Sequence, residues 1–435
     1  MSLSKLHPTK IAEICNGYWL NEDIPQFAFH HVVIDSRQMA GNSLFIALKG
    51  AHKDGHDFLA SLADHPEHGA MVNKPHPEIN LPQLVVADVE ASFQALAKFV
   101  AHNSRARKIA ITGSVGKTGT KDMIADMLAV AGKVHATKGN LNNHLGVPLT
   151  VSNMPEHNDF LVAEMGMNSA GEITLLSEIV RPDIAIITRI SNTHAAFFNN
   201  LSEIAEAKAE IFLGADAFGT AILPRDDEFY GQLAGSARLS GLKNIISFGT
   251  DEDSTIRLEN MEVQKQGLEI TASLPHPQTQ GMRQIVSFTL GMRAKHYAVN
   301  ALCALAVAHA LKLDLAPLLP AFAQMREGAG RGRVHQLHYA ERELTLIDDS
   351  YNASPASMQA ALAAAASYNA ENLLIIASDM LELGAAEIAE HKALAPAIET
   401  AKAKSVIAIG PLMQSCCQHL PEAISATYFA DAKAA

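Results

Sequence analysis

One stretch of the chain, Ile109-Ala-Ile-Thr-Gly-Ser-Val-Gly-Lys-Thr118, constrains the fold more than any other. It begins as an apolar run, which predicts a buried strand, and it then breaks at two glycines. Beyond it, apolar residues recur at the spacing of a helix face until Gly132: Met123, Ile124, Met127, Leu128 and Ala131. The stretch therefore predicts a strand, a glycine loop and a helix N-terminus in direct succession.

The glycine loop has the chemistry of a phosphate-binding loop. Unpaired N–H groups at a helix N-terminus attract anions, and Gly113 and Gly116 let the backbone approach a phosphate closely. Lys117 is placed to reach the β- and γ-phosphates, and Thr118 to offer its hydroxyl to Mg²⁺. The spacing is shorter than in the general P-loop, whose first glycine would fall at Ile111. An ordinary tight turn between strand and helix is the alternative for this stretch alone.

Length and composition limit the class of protein. The chain has 435 residues, 48% of them hydrophobic, which predicts about two or three domains. Its net charge of −12 argues against a nucleic-acid partner bound to a basic surface. No apolar run approaches the roughly 18 residues that cross a bilayer, so no membrane insertion is expected. The first residues lack the apolar core of a signal peptide, and we expect a cytoplasmic protein, with a monomer as the default.

The alternation of helices and strands predicts an α/β protein of three domains. Residues 1–88 are expected to form a small α/β domain. Residues 89–327 are expected to form the central, P-loop-type domain, with a mostly parallel sheet covered by helices on both faces. Between Ile256 and Leu290 the pattern instead favours antiparallel hairpins added to that sheet.

Residues 328–435 are expected to form a third, Rossmann-like domain. A glycine-rich segment, residues 324–333, is interpreted as the hinge that precedes it. Each of its strands is followed by a helical pattern, which predicts right-handed parallel crossovers. These strands are expected at Leu344–Asp348, Asn372–Ser378 and Ser405–Ile409.

Polar residues follow several predicted strands, where ligands collect in open α/β sheets. Glu164 follows the strand Phe160–Ala163 and is a candidate Mg²⁺ ligand, although a carboxylate there can equally cap a helix. His194 follows the strand Ile184–Thr188 and is interpreted as a second metal ligand, with packing or capping as the alternative. Lys208 lies on a predicted helix, where a lysine is normally solvated.

Further polar loops lie in the first and third domains. His52, Asp54, His56 and Asp57 have metal-binding side chains, but such residues in a loop more often make turn and capping hydrogen bonds. In the third domain, two loops begin with carboxylates directly after predicted strands. In each of the two predicted sheets, polar residues lie at the edge where the strands end. We therefore expect a ligand-binding cleft between the second and third domains. These two loops are Asp348–Pro355 and Asp379–Gly384.

Taken together, these motifs resemble those of the Mur ligases over nearly the whole chain, most closely the members that add D-alanyl-D-alanine. Any one motif could occur by chance, whereas their order and spacing together make coincidence improbable. The segments are Asp35-Ser-Arg37, Asp54-Gly-His-Asp-Phe58, Thr112-Gly-Ser-Val-Gly-Lys-Thr118, Gly139-Asn-Leu-Asn-Asn-His-Leu-Gly-Val-Pro148, Glu164-Met-Gly-Met-Asn168, Ala207-Lys-Ala-Glu-Ile-Phe212, Asp349-Ser-Tyr-Asn352 and Asp379-Met-Leu-Glu-Leu-Gly384.

The resemblance implies an ATP-dependent amide ligase with ATP and Mg²⁺ as cofactors. It would join D-alanyl-D-alanine to UDP-N-acetylmuramoyl-tripeptide, a cytoplasmic step in peptidoglycan precursor synthesis. The tripeptide carboxylate would attack the γ-phosphate of ATP to give an acyl phosphate and ADP. The dipeptide amine would then displace phosphate from the acyl phosphate. The first domain would hold the uridine nucleotide and the second ATP, with the third closing on both.

The resemblance also implies roles for individual residues. Those expected to be catalytic are Lys117, Glu164, His194 and Lys208. The expected ATP-binding residues are Gly113, Ser114, Val115, Gly116, Lys117, Thr118, Asn300, Arg331 and Asp349. The expected metal ligands are Thr118, Glu164, His194 and Lys208, the last as a carbamate. The expected substrate-binding residues are Asp35, Ser36, Arg37, Asn142, Asn143, Asn352 and Asp379.

Two departures from the family pattern leave alternatives open. Gly119 stands where the family usually has Thr or Ser, which predicts a looser first helical turn. The chain stops at Ala435 without the family's closing segment, so the third domain is expected to lack its last strand and helix. The alternatives are another amide ligase of the superfamily, such as a different Mur ligase or a folylpolyglutamate synthase-like enzyme, and an inactive nucleotide-binding homologue.

Overall fold

The computed structural model describes residues 2–63, 65, 67–191, 198, 200–264, 266–276, 279, 281–340, 342–368 and 370–435. The strands are β1 Tyr18–Trp19, β2 His31–Val33, β3 Ser43–Ile46, β4 Gly69–Val72, β5 Gln83–Val85, β6 Arg107–Thr112, β7 Val134–Ala136, β8 Phe160–Glu164, β9 Ile184–Ile187, β10 Thr220–Pro224, β11 Asn244–Gly249, β12 Ile256–Gln264, β13 Gly267–Pro275, β14 Arg283–Leu290, β15 Arg333–Tyr339, β16 Arg342–Asp348, β17 Leu374–Ser378, β18 Ser405–Ile409 and β19 Ser425–Phe429.

The α-helices are α1 Pro8–Ile14, α2 Val89–His102, α3 Lys117–Leu128, α4 Gly146–Ser152, α5 Glu172–Val180, α6 Leu201–Ala209, α7 Tyr230–Leu239, α8 His296–Ala310, α9 Leu319–Phe322, α10 Pro355–Ala366, α11 Glu387–Lys392, α12 Leu394–Thr400 and α13 Met413–Cys417. Within the described ranges, no helix is both long enough and apolar enough to cross a bilayer.

The first sheet has five strands in the order β1-β5-β4-β3-β2. The strand β1 pairs antiparallel with β5, and the other pairs are parallel. Sequence analysis did not predict β1 or β4. Every residue of β4 is buried, so it lacks the polar alternation that marks a half-exposed strand.

The central sheet has nine strands in the order β14-β13-β12-β11-β10-β9-β6-β8-β7. The pairs from β7 to β12 are parallel, whereas β12, β13 and β14 pair antiparallel, which confirms the predicted hairpin extension. Helices α2, α4, α5, α6 and α7 pack on one face of this sheet, and α3, α8 and α9 pack on the other. The strand β6 lies between β8 and β9, so the ends of three strands meet at the glycine loop.

The third region contains a hairpin and a separate parallel sheet. The sheet has the order β17-β18-β19 and is parallel throughout, as predicted. The prediction that Leu344–Asp348 belongs to a parallel sheet was wrong, because β16 pairs antiparallel with β15. A tight return after Tyr339, with Ala340 at a φ of +46°, allows this direct pairing. No Asn-Gly or Gly-Gly pair marks this turn in the sequence.

One continuous hydrophobic core joins the first sheet to the central one. Residues of the first unit, such as Trp19 and Phe29, belong to the same buried cluster as Leu161 and Ala185 of the central sheet. The Asn153 side chain adds two hydrogen bonds to the Val32 backbone: its Oδ1 accepts from the N–H at 2.9 Å and its Nδ2 donates to the carbonyl at 2.8 Å. The first two units therefore pack as one body.

We expect Asn153→Ala to destabilise the first unit, because it removes both bonds to β2, the edge strand of the first sheet. The expected loss is about 1–3 kcal/mol in the free energy of unfolding. Trp19 is the only tryptophan and lies buried in this unit, so its fluorescence during urea unfolding measures the effect. The control Asn260→Ala changes an exposed amide on β12 and should stay within about 0.5 kcal/mol of wild type. Equal shifts in the two variants would contradict the role of Asn153.

Candidate functional site

The glycine loop connects β6 to α3 as the sequence predicts. Gly113 has a φ of +148° and Gly116 a φ of +83°, a region that residues with a side chain rarely adopt. A Cβ atom at Gly113 would lie 1.9 Å from the Thr188 Oγ1 atom, just beyond the end of β9. The Thr188 hydroxyl in turn donates to the Val115 carbonyl at 2.7 Å. The first glycine is therefore required by the neighbouring strand as well as by the shape of the loop.

Lys117 is the first residue of α3, and its side chain folds back over the loop. The Lys117 Nζ atom donates to the Gly113 carbonyl at 2.8 Å and to the Ser114 carbonyl at 3.3 Å. Desolvation lowers the pKa of Lys117, an effect that Glu164 opposes and Arg331 reinforces. The Ser114 hydroxyl is buried without a hydrogen-bond partner in the described part of the chain. The loop thus holds a lysine and a buried hydroxyl beside a helix N-terminus, as an anion site requires.

Glu164, the last residue of β8, lies opposite Ile111 of β6. Its side chain is 1% exposed, and its Oε1 atom accepts a hydrogen bond from Asn142 Nδ2 at 2.8 Å. Its Oε2 atom is buried and has no hydrogen-bond partner among the described residues. A buried carboxylate oxygen without a partner destabilises the folded state, because it has lost its hydrogen bonds to water and has formed none within the protein. The site therefore fits a cation that prefers oxygen ligands, as Mg²⁺ does.

Lys208 lies on α6 and is only 1% exposed, unlike the solvated lysines that are normal on a helix. Burial lowers the pKa of Lys208 well below its usual value, and the nearby Lys117 charge adds to this, while Glu210 opposes it. The sequence did contain a signal: Lys208 follows Ile204 by four residues, so both lie on the buried face of α6.

Two residues of α8 lie against the first turn of α3. A Cβ atom at Gly116 would lie 3.5 Å from Asn300 Oδ1, and one at Gly119 would lie 3.4 Å from both Asn300 Nδ2 and the Tyr297 ring. Asn300 therefore lies beside the glycine loop. Gly119, which departs from the family pattern, provides the room in which Tyr297 and Asn300 pack.

Arg331 reaches the glycine loop from the hinge. Its Nη2 atom donates to Thr118 Oγ1 at 3.1 Å, and its guanidinium carbon lies 3.8 Å from the centre of the Tyr351 ring. The Tyr297 hydroxyl donates to the Arg331 carbonyl at 2.9 Å. Burial raises the pKa of Asp349, with Arg331 opposing the shift. The structure thus places Arg331 beside Thr118, with Asp349 in its electrostatic range.

The predicted substrate residues Asn142 and Asn143 have partners within the central unit. Asn142 orients Glu164 through the bond described above. The Asn143 Oδ1 atom accepts from the backbone N–H groups of Leu145 and Gly146, at 3.2 and 2.9 Å, where α4 begins.

Asp35, Ser36 and Arg37 follow β2 in the first unit. The carboxylate of Asp35 caps a short 3₁₀ helix, Ser36–Gln38, and receives Arg37 Nε at 2.9 Å and Nη2 at 2.7 Å. These bonds lower the pKa of Asp35 to about 2. The capping interpretation of the nearby loop is confirmed, because Asp54 caps the 3₁₀ helix Gly55–Leu62 and lies 2.6 Å from His56 Nδ1.

In the third region, Asn352 is exposed in the loop after β16. Asp379, directly after β17, accepts from the Leu412 and Met413 N–H groups at the start of α13, at 3.2 and 2.8 Å. Ser354 caps α10 together with Ser357. The candidate metal ligand His194 lies outside the described residues.

Three family models match the chain in consecutive segments. Residues 28–111 match the model "Mur ligase family, catalytic domain", and residues 111–308 match "Mur ligase middle domain". Residues 332–435 match "Mur ligase, glutamate ligase domain".

Individual relatives match over most of their length. The UDP-N-acetylmuramoyl-tripeptide–D-alanyl-D-alanine ligase of Escherichia coli (strain K12) is 33% identical over 92% of this chain and 85% of its own. The corresponding ligase of Bacillus subtilis (strain 168) is 33% identical over 92% and 84%.

Solved structures agree with these sequence matches. A crystal structure of MurF from Acinetobacter baumannii has a TM-score of 0.86 at 28% identity, covering 98% of this chain and 90% of the other. MurF from Thermotoga maritima in complex with ADP shares the fold, with a TM-score of 0.77 at 22% identity over 92% and 88%. The chain belongs to the Mur ligase family.

Proposed function

We propose that this chain is the ATP-dependent ligase that joins D-alanyl-D-alanine to UDP-N-acetylmuramoyl-tripeptide, forming ADP and phosphate in peptidoglycan precursor synthesis. The observation that carries the proposal is the meeting of a phosphate loop, an unpaired buried carboxylate oxygen and a buried lysine at one edge of the central sheet. Relatives that share a third of their residues over 92% of the chain are named for this reaction. The monomeric state and cytoplasmic location stay predictions.

The glycine loop is the proposed site of the ATP phosphates. The backbone N–H groups of the loop and of the α3 N-terminus would receive phosphate oxygens. Lys117 donates to two carbonyls of its own loop. These two hydrogen bonds would be replaced by stronger, charge-assisted bonds to phosphate when ATP binds. Asn300 and Asp349 would contact the nucleotide from α8 and from the third domain, and Arg331 already lies beside Thr118.

Thr118, Glu164, His194 and Lys208 are the proposed holders of Mg²⁺. The unpaired Glu164 oxygen supports this proposal, because Mg²⁺ prefers oxygen ligands and Thr118 offers a second oxygen. Bound Mg²⁺ would neutralise charge that develops on the transferred phosphoryl group. Asn142 would keep the Glu164 carboxylate oriented, because its amide already holds the other oxygen.

Lys208 is proposed to act as a carbamate. Its depressed pKa favours the neutral amine, which is the form that adds CO2. The neutral nitrogen attacks CO2 and releases one proton to solvent, which leaves an anionic carbamate with two oxygen donors. This group would face Lys117, whose charge now opposes a protonated Lys208.

The two chemical steps require positioning more than acid–base groups. A carboxylate is a poor acylating agent, so transfer of the ATP γ-phosphoryl group to it, with ADP leaving, creates the phosphate leaving group that the dipeptide amine later displaces. Lys117 and Arg331 would stabilise negative charge on the transferred phosphoryl group, since Lys117 folds over the glycine loop and Arg331 donates to Thr118 at its end. Their cationic groups are held before substrates arrive, which removes a reorganisation cost.

The peptide substrates are proposed to bind at strand ends of the outer domains. Asp35, Ser36 and Arg37 would contact the uridine nucleotide from residues 1–88, and Asn143 would lie along the path toward residues 89–327. Asn352 and the loop beginning at Asp379 would receive the dipeptide from residues 328–435. We propose these three ranges as the domains.

Phosphate release tests the proposed reaction directly. The protein is incubated with ATP, Mg²⁺, UDP-N-acetylmuramoyl-tripeptide and one amine at a time. We expect phosphate release with D-alanyl-D-alanine and none with glutamate plus a folate acceptor. Turnover only with glutamate and folate would assign another ligase of the superfamily, and ATP binding without any turnover would assign an inactive homologue.

We expect Glu164→Gln to lower kcat by about 100-fold or more, because it removes the charge while keeping the size and the bond from Asn142. The Mg²⁺ concentration for half-maximal activity should rise by at least about 10-fold. The measurement is phosphate release over a Mg²⁺ titration. The control Glu178→Gln, whose side chain is half exposed on α5, should behave as wild type. An unchanged Mg²⁺ dependence in the first variant would remove Glu164 from the metal site.

We expect Lys208→Ala to lower kcat by roughly 100-fold or more, and formate or acetate to restore part of the activity by supplying the missing oxygens. The same anions should not rescue Lys117→Ala, where a cation is missing. Full activity of Lys208→Ala would exclude the carbamate role. Equal rescue of both variants would show that the anions act elsewhere.

A further inference from the structure

The loop that follows β17, residues 379–384, is held at its start by groups that lie outside it. This loop is named here the β17 loop, and in the proposed function it receives the dipeptide. We infer that His391 is a positioning residue for this reaction, which fixes the β17 loop by accepting a hydrogen bond from the backbone N–H of Met380. The inference rests on the proposed function.

The hydrogen bonds of His391 define its tautomer. Its side chain lies on α11 and is fully buried. Its Nδ1 atom lies 2.6 Å from the Glu387 carbonyl, an acceptor, so Nδ1 carries the proton. Its Nε2 atom lies 2.9 Å from the Met380 backbone nitrogen, whose N–H is a donor, so Nε2 accepts. The imidazole therefore connects α11 to the β17 loop: Nδ1 bonds Glu387 of the helix, and Nε2 bonds Met380 of the loop.

Asp379 provides the second anchor of the β17 loop. Both of its oxygens accept from backbone N–H groups at the start of α13. Gly410 passes so close that a Cβ atom there would lie 2.4 Å from the Asp379 carboxylate. The carboxylate is thus committed to the protein, and contacts with the dipeptide fall to the tip of the loop. Leu381, at that tip, is 72% exposed.

The tip has a conformation that needs such anchors. Glu382 has a φ of +62°, a left-handed conformation that is unfavourable for a residue with a side chain. Strained residues of this kind persist only where the surrounding structure determines them. Met380, whose side chain is fully buried, and Asp379 fix the backbone directly before the strained residue. Loss of the His391 bond would let this segment relax away from the shape that meets the dipeptide.

Two substitutions separate the two bonds of His391. Glutamine places its amide oxygen near the Nε2 position and keeps an acceptor for Met380. Asparagine places a donor near the Nδ1 position and keeps only the bond to Glu387. Both shorten or reshape the buried ring to a similar degree, so a role limited to core packing predicts similar defects in the two variants.

The test measures KM for D-alanyl-D-alanine, KM for ATP and kcat by phosphate release. We expect His391→Asn to raise KM for the dipeptide by about 10-fold and to leave KM for ATP within about 2-fold, as loss of one positioning bond implies. His391→Gln should stay within about 3-fold of wild type for all three constants. Equal defects in both variants, or a parallel rise in KM for ATP, would overturn the inference.

Hydrogen exchange of the Met380 amide gives a readout that does not depend on activity. It should be protected in the wild type and in His391→Gln, and exchange faster in His391→Asn, while the amides of β18 stay protected. Fast exchange in the wild type would overturn the inference even if neither variant were active. A wild type that releases no phosphate with D-alanyl-D-alanine would refute the proposed function instead, and the exchange pattern would still report on the anchor.

Discussion

Burial of charge at the carboxyl end of β6 is the constraint on which the site depends. Glu164 has one oxygen satisfied by Asn142 and another without a partner, while Lys208 is buried with its cationic form disfavoured. Such groups lower the stability of the folded chain unless a ligand compensates them. Nucleotide, metal and carbamate would each supply the missing charge. The folded chain is therefore less stable than it would be with this site filled by apolar side chains.

Much of the central unit could be predicted from the sequence, because its signals are local. The strand, glycine loop and helix around Lys117 follow from apolar spacing and two glycines, and the structure confirms them. The antiparallel extension was visible from its alternation. Local spacing could not reveal which distant residues lie close together. Thr188 leaves no room for a side chain at position 113, and Tyr297 and Asn300 lie beside Gly119. Those contacts join residues that lie far apart in the chain.

The sequence-based predictions were wrong or incomplete where two different structures have the same local sequence pattern. The apolar run at Leu344–Asp348 suits a parallel strand or a hairpin equally, and only the return after Tyr339 decides between them. Its residue type gave no sign that Lys208 is buried, because lysines on helices are normally solvated. Its four-residue spacing from Ile204 did indicate burial. Asp379 was identified as a loop carboxylate, but its partners, the N–H groups of α13, lie more than thirty residues onward.

The hydrophobic core shared by the first two units fixes the distance that a long substrate would have to span. Because Trp19 and Leu161 belong to one buried cluster and Asn153 fastens β2 to the central unit, the span between Arg37 and the glycine loop is set when the chain folds. Under the proposed function, a molecule with its nucleotide near Arg37 and its reactive carboxylate near Lys117 would have to span this fixed distance. Molecules one residue shorter or longer would place a different atom beside Lys117, so the length of the substrate would itself be selected.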